Sequence, residues 1–138
     1  MSHYYTDIKA GIIQVLQQST NVKQIYNYVN TQPAGYPSIN VYPTDGEAEF
    51  LDTMRVKRDF MFTVQCLQER VNVGASQAEL IMTTLVDEIV NIFDNPTNTT
   101  LGNTVVFCKP VKTKWGYLTV PDADVRLCEI TLIAEAAQ

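Results

Sequence analysis

The chain has 138 residues, a length that suits one domain with its own core, and we expect residues 1–138 to form that single domain. A hydrophobic content of 46% and a charged content of 18% are ordinary for a globular protein and argue against disorder. The net charge of -5 disfavours a dedicated nucleic-acid binder, which usually presents a basic face, and no apolar run approaches the roughly 20 residues that span a membrane.

Periodicity and turn-forming residues divide the first part of the chain into one helix, two strands and two turns. The helix has apolar side chains at three- and four-residue steps, and the strands show two-residue alternation. Proline and glycine disfavour helix and central strand in the segments between them. The predicted order is a helix at 4–18, a strand at 24–29, a turn at 31–37, a strand at 38–42 that Pro43 ends, and a turn at 44–47.

The next apolar alternation starts at Val56 and continues to about Leu67, which is about twice the length of a typical strand. Its first part carries charge on both faces, and one face becomes apolar only from Phe60 onward. We therefore expect the early part to project beyond the core, where both faces meet water or a partner. Paired with the strand at 38–42, it predicts a long hairpin with a charged tip.

The second part of the chain predicts a further helix and two or three closing strands. Ser76 and Glu79 have the spacing of a capping box, and Asn95-Pro96 predicts that the helix ends near Asp94. The apolar stripe of this helix is Ala78, Met82, Leu85, Ile89 and Ile92. After it we predict a loop at 97–103, a strand at 104–111 that 112–120 continues or bends, a turn at Pro121 and Asp122, and a last strand at 124–135.

This order predicts an α+β fold: a mostly antiparallel sheet with a long projecting β-hairpin and two helices packed on the sheet. The three cysteines, Cys66, Cys108 and Cys128, lie in apolar segments and lack the CxxC spacing of a metal site. We interpret them as small buried hydrophobic residues in a reducing compartment.

Residue types that carry catalysis are scarce. The one histidine, His3, lies next to the terminus, and the isolated Gly74 is not a phosphate-binding loop. An enzyme is therefore the weakest interpretation. We expect no catalytic residues, no cofactor and no metal.

A block of acidic residues precedes a block of basic residues at the predicted hairpin. The acidic block lacks the spacing of a known calcium loop, and it cancels most of the field with which the basic block could attract phosphate. Two interpretations stay open: a solvated strand that guards a sheet edge, and a head-to-tail interface between identical subunits. The candidate interface residues are Glu47, Glu49, Asp52, Arg55, Lys57 and Arg58.

The layout resembles the tail terminator (tail-completion) proteins of long, non-contractile-tailed bacteriophages. The matching stretches are "PSINVYPTDGEAEFLDTMRVKRDFMFTVQCLQER", "SQAELIMTTLVDEIVNIF" and "WGYLTVPDADVRLCEITLIAE". The resemblance covers most of the chain and is one of order and pattern. It implies a subunit of a hexameric ring that caps the tail tube, stops its polymerisation and offers a docking surface to the head connector.

The same resemblance implies a location and partners. The protein would belong to the tail or neck of a virion assembled in the host cytoplasm. Its partners would be further copies of itself, the tail tube protein and the head–tail connector or stopper protein, with no membrane. DNA would only pass through the lumen without specific binding, and an acidic wall suits that passage because it repels phosphates. The alternatives are another connector, stopper or tail-tube subunit and, from a different class, a small α+β domain that binds a ligand or nucleic acid.

Overall fold

The computed structural model describes residues 4–30, 33–50, 56–120 and 123–137. Within these ranges the five strands form a sheet of order β1-β2-β3-β5-β4, in which β1 is parallel to β2 and the other pairs are antiparallel. Two helices accompany this sheet, so the predicted α+β fold is confirmed. The elements in chain order are α1 (Tyr4–Leu16), β1 (Gln24–Tyr26), β2 (Ser38–Phe50), β3 (Val56–Glu69), α2 (Ala75–Asp94), β4 (Phe107–Val120) and β5 (Ala123–Ala137).

The core lies between the two helices and one face of the sheet. β3 and β5 direct alternate residues into it, and Val64 lies opposite Ile130 and Cys66 opposite Cys128 in the ladder. Burying an aliphatic or aromatic side chain contributes about 1.5–3 kcal/mol, so this layer is the main source of stability. The helices add the fully buried side chains of Ile8, Ile12, Leu16, Met82, Leu85, Ile89 and Phe93.

Pro43 does not end its strand, contrary to the sequence prediction. β2 continues to Phe50, and its pairing with β3 shifts between Pro43 and Asp45. A proline is tolerated at such an irregularity because the ladder is already interrupted there. The turn predicted at 44–47 is therefore wrong. The connection between the two strands falls at 51–55, outside the described residues.

The capping box predicted for α2 is also wrong. The helix begins at Ala75 with Gly74 as its N-cap residue, and no side chain makes a cap hydrogen bond. Gly74 has a φ of 85°, which lies in the left-handed region that favours glycine. Ser76 therefore lies inside the first turn, two positions after the N-cap residue, and Glu79 binds Arg126 of β5 instead.

The remaining boundaries agree with the sequence prediction to within a few residues. α1 and β1 are shorter than predicted, and β5 is longer. β4 joins the two predicted segments into one strand, with a register shift between Pro110 and Lys112. α2 ends at Asp94 and the three cysteines are free and buried, both as predicted. Parts of the predicted turns, residues 31–32 and 121–122, lie outside the described residues.

A carboxylate clamp joins the end of α1 to α2. Glu88 of α2 accepts hydrogen bonds from the side chains of Ser19, Thr20 and Asn21, which follow α1. Burial alone would raise the pKa of Glu88. Hydrogen bonds from the side chains of Ser19 and Thr20 and from the backbone N–H groups of Thr20 and Asn21 outweigh it and lower the pKa below its ordinary value. The clamp therefore stabilises the fold when the carboxylate is ionised.

An amide pair makes a second link at the same end of the helices. Nε2 of Gln18 donates to Oδ1 of Asn98 at 2.9 Å, and Nδ2 of Asn98 donates to Oε1 of Gln18 at 3.1 Å. Nδ2 of Asn98 also donates to the carbonyl oxygen of Ile92 at 3.0 Å, and the residue is 7% exposed. The loop after α2 is thus bonded both to the end of α1 and to the last turn of α2.

Two leucines of α2 provide a matched test of the core. Leu85 is fully buried, whereas Leu80 is 59% exposed on the same helix. Leu85→Ala should lower the free energy of unfolding by about 2–5 kcal/mol because it leaves a cavity. Leu80→Ala should change it by no more than about 0.5 kcal/mol. Urea unfolding followed by circular dichroism measures both, and equal losses would contradict this placement of the helix.

The clamp at Glu88 predicts a pH dependence. Because the folded pKa is lowered, its stabilisation is complete above the ordinary pKa of 4.5 and is lost as the pH falls through the folded pKa. Glu88→Gln should therefore be less stable than the wild type at neutral pH. The difference should shrink as the pH falls through the lowered folded pKa, because the protonated Glu88 side chain is then uncharged like glutamine. A difference in urea midpoint that stays constant with pH would refute this role.

Candidate subunit interface on the sheet

The outer half of the β2–β3 hairpin forms an arm (residues 44–50 and 56–59) that extends beyond the core. Phe60 is the last buried β3 residue before it, and the ring of Tyr5 in α1 packs edge-on against Phe60 with centroids 4.9 Å apart. Gly46 lies beside the same tyrosine, and any side chain there would collide with the Tyr5 hydroxyl. The arm therefore starts where the first turn of α1 stops covering the sheet.

The arm carries the described members of the predicted interface set. Glu49 lies opposite Lys57 in the β2–β3 ladder, on the sheet face turned away from the helices, which we call the open face. Arg58 lies on the other face and is exposed. Asp52 and Arg55 lie outside the described residues. The structure thus brings acidic and basic members of the set together within one chain.

Three carboxylates lie side by side across neighbouring strands of the open face. Glu47 of β2 is opposite Asp59 of β3, which is opposite Glu135 of β5; we call these residues the carboxylate row. Nζ of Lys57 lies 3.7 Å from Oε2 of Glu135, and Oδ1 of Asp59 is buried without a hydrogen-bond partner in the described part of the chain. Directly opposed like charges destabilise a sheet, so this row costs the isolated subunit stability.

The opposite edge of the open face is basic. Lys109, Lys112 and Lys114 of β4 pair with Ile133, Thr131 and Glu129 of β5, which places all three on the open face; we call them the lysine row. All three are exposed, and none has an ion-pair partner among the residues described. The bulge after Pro110 keeps their side chains on one face despite the uneven spacing. Sequence reasoning missed this row because its pattern becomes regular only once the bulge is known.

Both long edges of the sheet are unpaired over most of their length. β1 pairs only with Ser38–Asn40, so β2 has no outer neighbour beyond Asn40 within the described chain. β4 pairs with β5 on one side, and its other side has no strand partner in the same ranges. An unpaired strand edge offers N–H and C=O groups to a strand of another chain.

An aromatic cluster flanks the β4 edge on the helix side of the sheet. The guanidinium of Arg126 lies 4.9 Å from the ring centroid of Trp115 and 4.5 Å from that of Tyr117. Its Nε and Nη2 donate to the carboxylate of Glu79 at 2.8 and 3.1 Å, and these hydrogen bonds raise the pKa of Arg126. Trp115 and Tyr117 remain 37% and 58% exposed. Such rigid, exposed aromatic surface is enriched at protein interfaces.

The thiols are poorly suited to nucleophilic chemistry. Burial raises the pKa of Cys66 well above its ordinary value, that of Cys108 to about 12 and that of Cys128 to about 11. The thiolate is the reactive species, and little of it forms at neutral pH. In the described ranges, no group of three or more His, Cys, Asp or Glu side chains could hold a metal ion.

Two surface depressions lined by described residues beside the helices each contain a single charged side chain. One of about 500 Å³ between α1 and the loop after α2 contains Asp7 as its charged residue. Another of about 430 Å³ near the start of α2 contains Lys23. Neither combines an acid, a base and a nucleophile. Among the residues described, no helix has the length and apolar character that a membrane crossing requires.

Comparison with solved structures reveals a shared fold over the whole length. The chain is similar to a chain in the structure of the virion of a native gene transfer agent (GTA) particle, with a TM-score of 0.65 and 15% sequence identity. The match covers 99% of this chain and 100% of that one. At this identity the likeness shows the fold alone. No protein-family model and no curated protein matches the sequence.

The carboxylate row predicts an unusual stabilising substitution. Asp59→Asn removes the central charge of the row and should raise the free energy of unfolding by about 0.2–1 kcal/mol at low ionic strength. The gain should shrink as salt screens the repulsion. Asp87→Asn, on the exposed face of α2, serves as the control and should change stability less. A loss of stability in Asp59→Asn, measured by urea unfolding, would contradict repulsion within the row.

Proposed function

We propose that this chain is a single-domain structural subunit of a phage-like virion, and that it acts there as the tail terminator. In this role copies of the chain form a ring, proposed to be hexameric, in the neck of the particle. The ring caps the tail tube, stops its polymerisation and offers the surface to which the head–tail connector docks. The observation that carries the proposal is the end-to-end likeness of the fold to a chain of a GTA virion.

The surface of the subunit supports a role in assembly. A ring of identical copies needs two different, mutually complementary surfaces on opposite sides of each subunit. The arm projects from one side of the sheet, and the unpaired edge of β4 lies at the other. We propose that the arm contributes to the contact between copies through Glu47, Glu49, Asp52, Arg55, Lys57 and Arg58.

The charge and chemistry of the chain support a passive role toward DNA. With a net charge of -5, a ring of these subunits repels phosphates and lets DNA pass without holding it. We propose no catalytic role and no cofactor. The partners are further copies of the chain, the tail tube and the connector, and assembly takes place in the host cytoplasm.

Deleting the gene in a particle-producing host tests the terminator role. Without a cap the tubes should keep growing, so negative-stain electron microscopy should show tails of excess and variable length that lack heads. Supplying the gene in trans should restore a uniform tail length. Complete particles with tails of normal length would overturn the proposal. An absence of tubes would instead indicate a tube subunit, and tails of normal length without heads would indicate a connector or stopper.

A further inference from the structure

We propose that the lysine row on the β4 edge of one copy docks onto the acidic edge of β2 in a second copy of this chain. The acidic edge consists of Asp45, Glu47 and Glu49 on the open face of the arm. The contact repeats head to tail from copy to copy. This inference rests on the proposed function, because it names the contact between copies that closes the proposed ring.

The two surfaces match in number, spacing and orientation. Each presents three like charges on the open face, and within each row the charges are two ladder positions apart. At about 3.3 Å per residue, each row spans about 13 Å. The acidic edge and the lysine row lie on opposite edges of the sheet, so neither can neutralise the other within one subunit.

Among the described residues, the charges on each surface are largely without an ion-pair partner. Lys57 lies opposite Glu49 in the ladder, but its ammonium group pairs with Glu135 of β5. The lysine row has no ion-pair partner among the described residues, although Glu129 lies across from Lys114. Glu129 instead accepts a hydrogen bond from the hydroxyl of Tyr42 at 3.1 Å. A second copy supplies the missing opposite charge to both surfaces at once.

Strand directions suit this contact. β2, β3, β5 and β4 alternate in direction, so β2 and β4 run antiparallel to each other. A second copy in the same orientation therefore brings its β2 antiparallel to the β4 edge of the first, which is the slightly more stable kind of pairing. Because the two surfaces differ, the contact is heterologous and generates a ring when the rotation closes.

The register of the charges sets the tilt of such a ring. Through the ladders Lys112 is level with Thr63 of β3, whereas Glu47 is level with Asp59, four residues away on that strand. When Lys112 pairs with Glu47 of the next copy, that copy is therefore displaced by four residues along the strand direction. This displacement accumulates over the four strands β2, β3, β5 and β4. Each strand is then offset from its neighbour by one residue, which is about 3.3 Å along the strand, and neighbouring strands are about 4.8 Å apart. These two distances correspond to strands tilted by about 35° from the axis of the ring, a tilt similar to that of strands in closed β-barrels. The contact between the lysine row and the acidic edge, which we call the seam, thus allows the sheets of successive copies to close into one continuous wall.

The β4 edge also carries features that natural sheets use against unwanted pairing. Lysines, a proline and a bulge all blunt an exposed edge, and β4 has all three around Pro110. They exclude an uncharged or basic strand edge but not an acidic one. In the proposed seam these features therefore select the acidic edge of β2 in a second copy over other strand edges.

Charge exchange between copies tests the seam. Lys112→Glu and Glu47→Lys should each weaken self-association of the full chain by roughly tenfold or more, since each places like charges face to face. The double variant should recover association, because every seam then holds the reversed pair. An equimolar mixture of the two single variants should also recover it, by alternating around the ring. Dilution series in sedimentation velocity, with native mass spectrometry, measure each case.

Matched controls separate the seam from general charge effects. Lys9→Glu, at a partly buried position on α1, and Asp87→Lys, at an exposed position on α2, make the same changes in net charge away from both edges and should associate as the wild type does. Urea unfolding of each variant verifies that it is folded. Single variants that associate like the wild type would overturn the proposal and leave the lysines as edge guards only. A loss that neither the double variant nor the mixture restores would also overturn it, as would a wild type that stays monomeric at its highest soluble concentration.

The seam and the proposed function fail in different ways. If deletion of the gene leaves normal tails while the double variant recovers association, the seam stands and the terminator role falls. If deletion gives overlong tails but the charge variants associate normally, the role stands and the seam falls.

Discussion

The four long strands of this protein, β2 to β5, extend further than the helices that pack on them, and the exposed charged surface of the arm follows from this difference in length. β3 has 14 residues and spans about 46 Å, whereas α2 has 20 residues and spans about 30 Å. Up to Phe60 one face of β3 is sealed by apolar side chains. Beyond it the described side chains of the arm, at 44–49 and 56–59, are exposed or only partly buried, so an apolar sequence there would make the hairpin prone to aggregation. Charged residues on both faces keep the arm soluble.

Solubility alone does not account for how the charges are arranged. Side chains of opposite charge that face each other on neighbouring strands would stabilise the arm. Instead, three carboxylates, those of Glu47, Asp59 and Glu135, face each other across three strands. Lysines gather instead on the far edge of the sheet, on β4. Segregation of charge costs a lone subunit stability and becomes favourable when a second surface supplies the opposite sign. Local rules are typically broken in this way where a protein meets its partners.

The sequence was sufficient for elements whose signal is local and repeated. The alternation in β3 and most of the apolar stripe of α2 predicted their burial, because a period of two or of 3.6 is fixed by backbone geometry. In the last turn of α2, Phe93 is fully buried and the predicted Ile92 is only partly buried. Pro43 misled the prediction because pairing context, here a bulge, decides whether a proline ends a strand. Glu79 misled it because a tertiary partner, Arg126, competes with the local cap. The acidic part of the candidate interface was visible as a block, whereas the lysine row depends on a bulge that no single-sequence pattern reveals.

The amide link at Asn98 has a consequence for producing the protein in other hosts. Asn98-Thr99-Thr100 reads as an acceptor for N-linked sugar in a secretory pathway. The nitrogen that would carry the glycan already donates to Gln18 and Ile92 in a nearly buried site. A folded chain is therefore closed to the transferase, and a chain modified during synthesis could not form these hydrogen bonds. Expression in a secreting eukaryotic cell would thus set glycosylation and folding in competition, a conflict that a cytoplasmic host avoids.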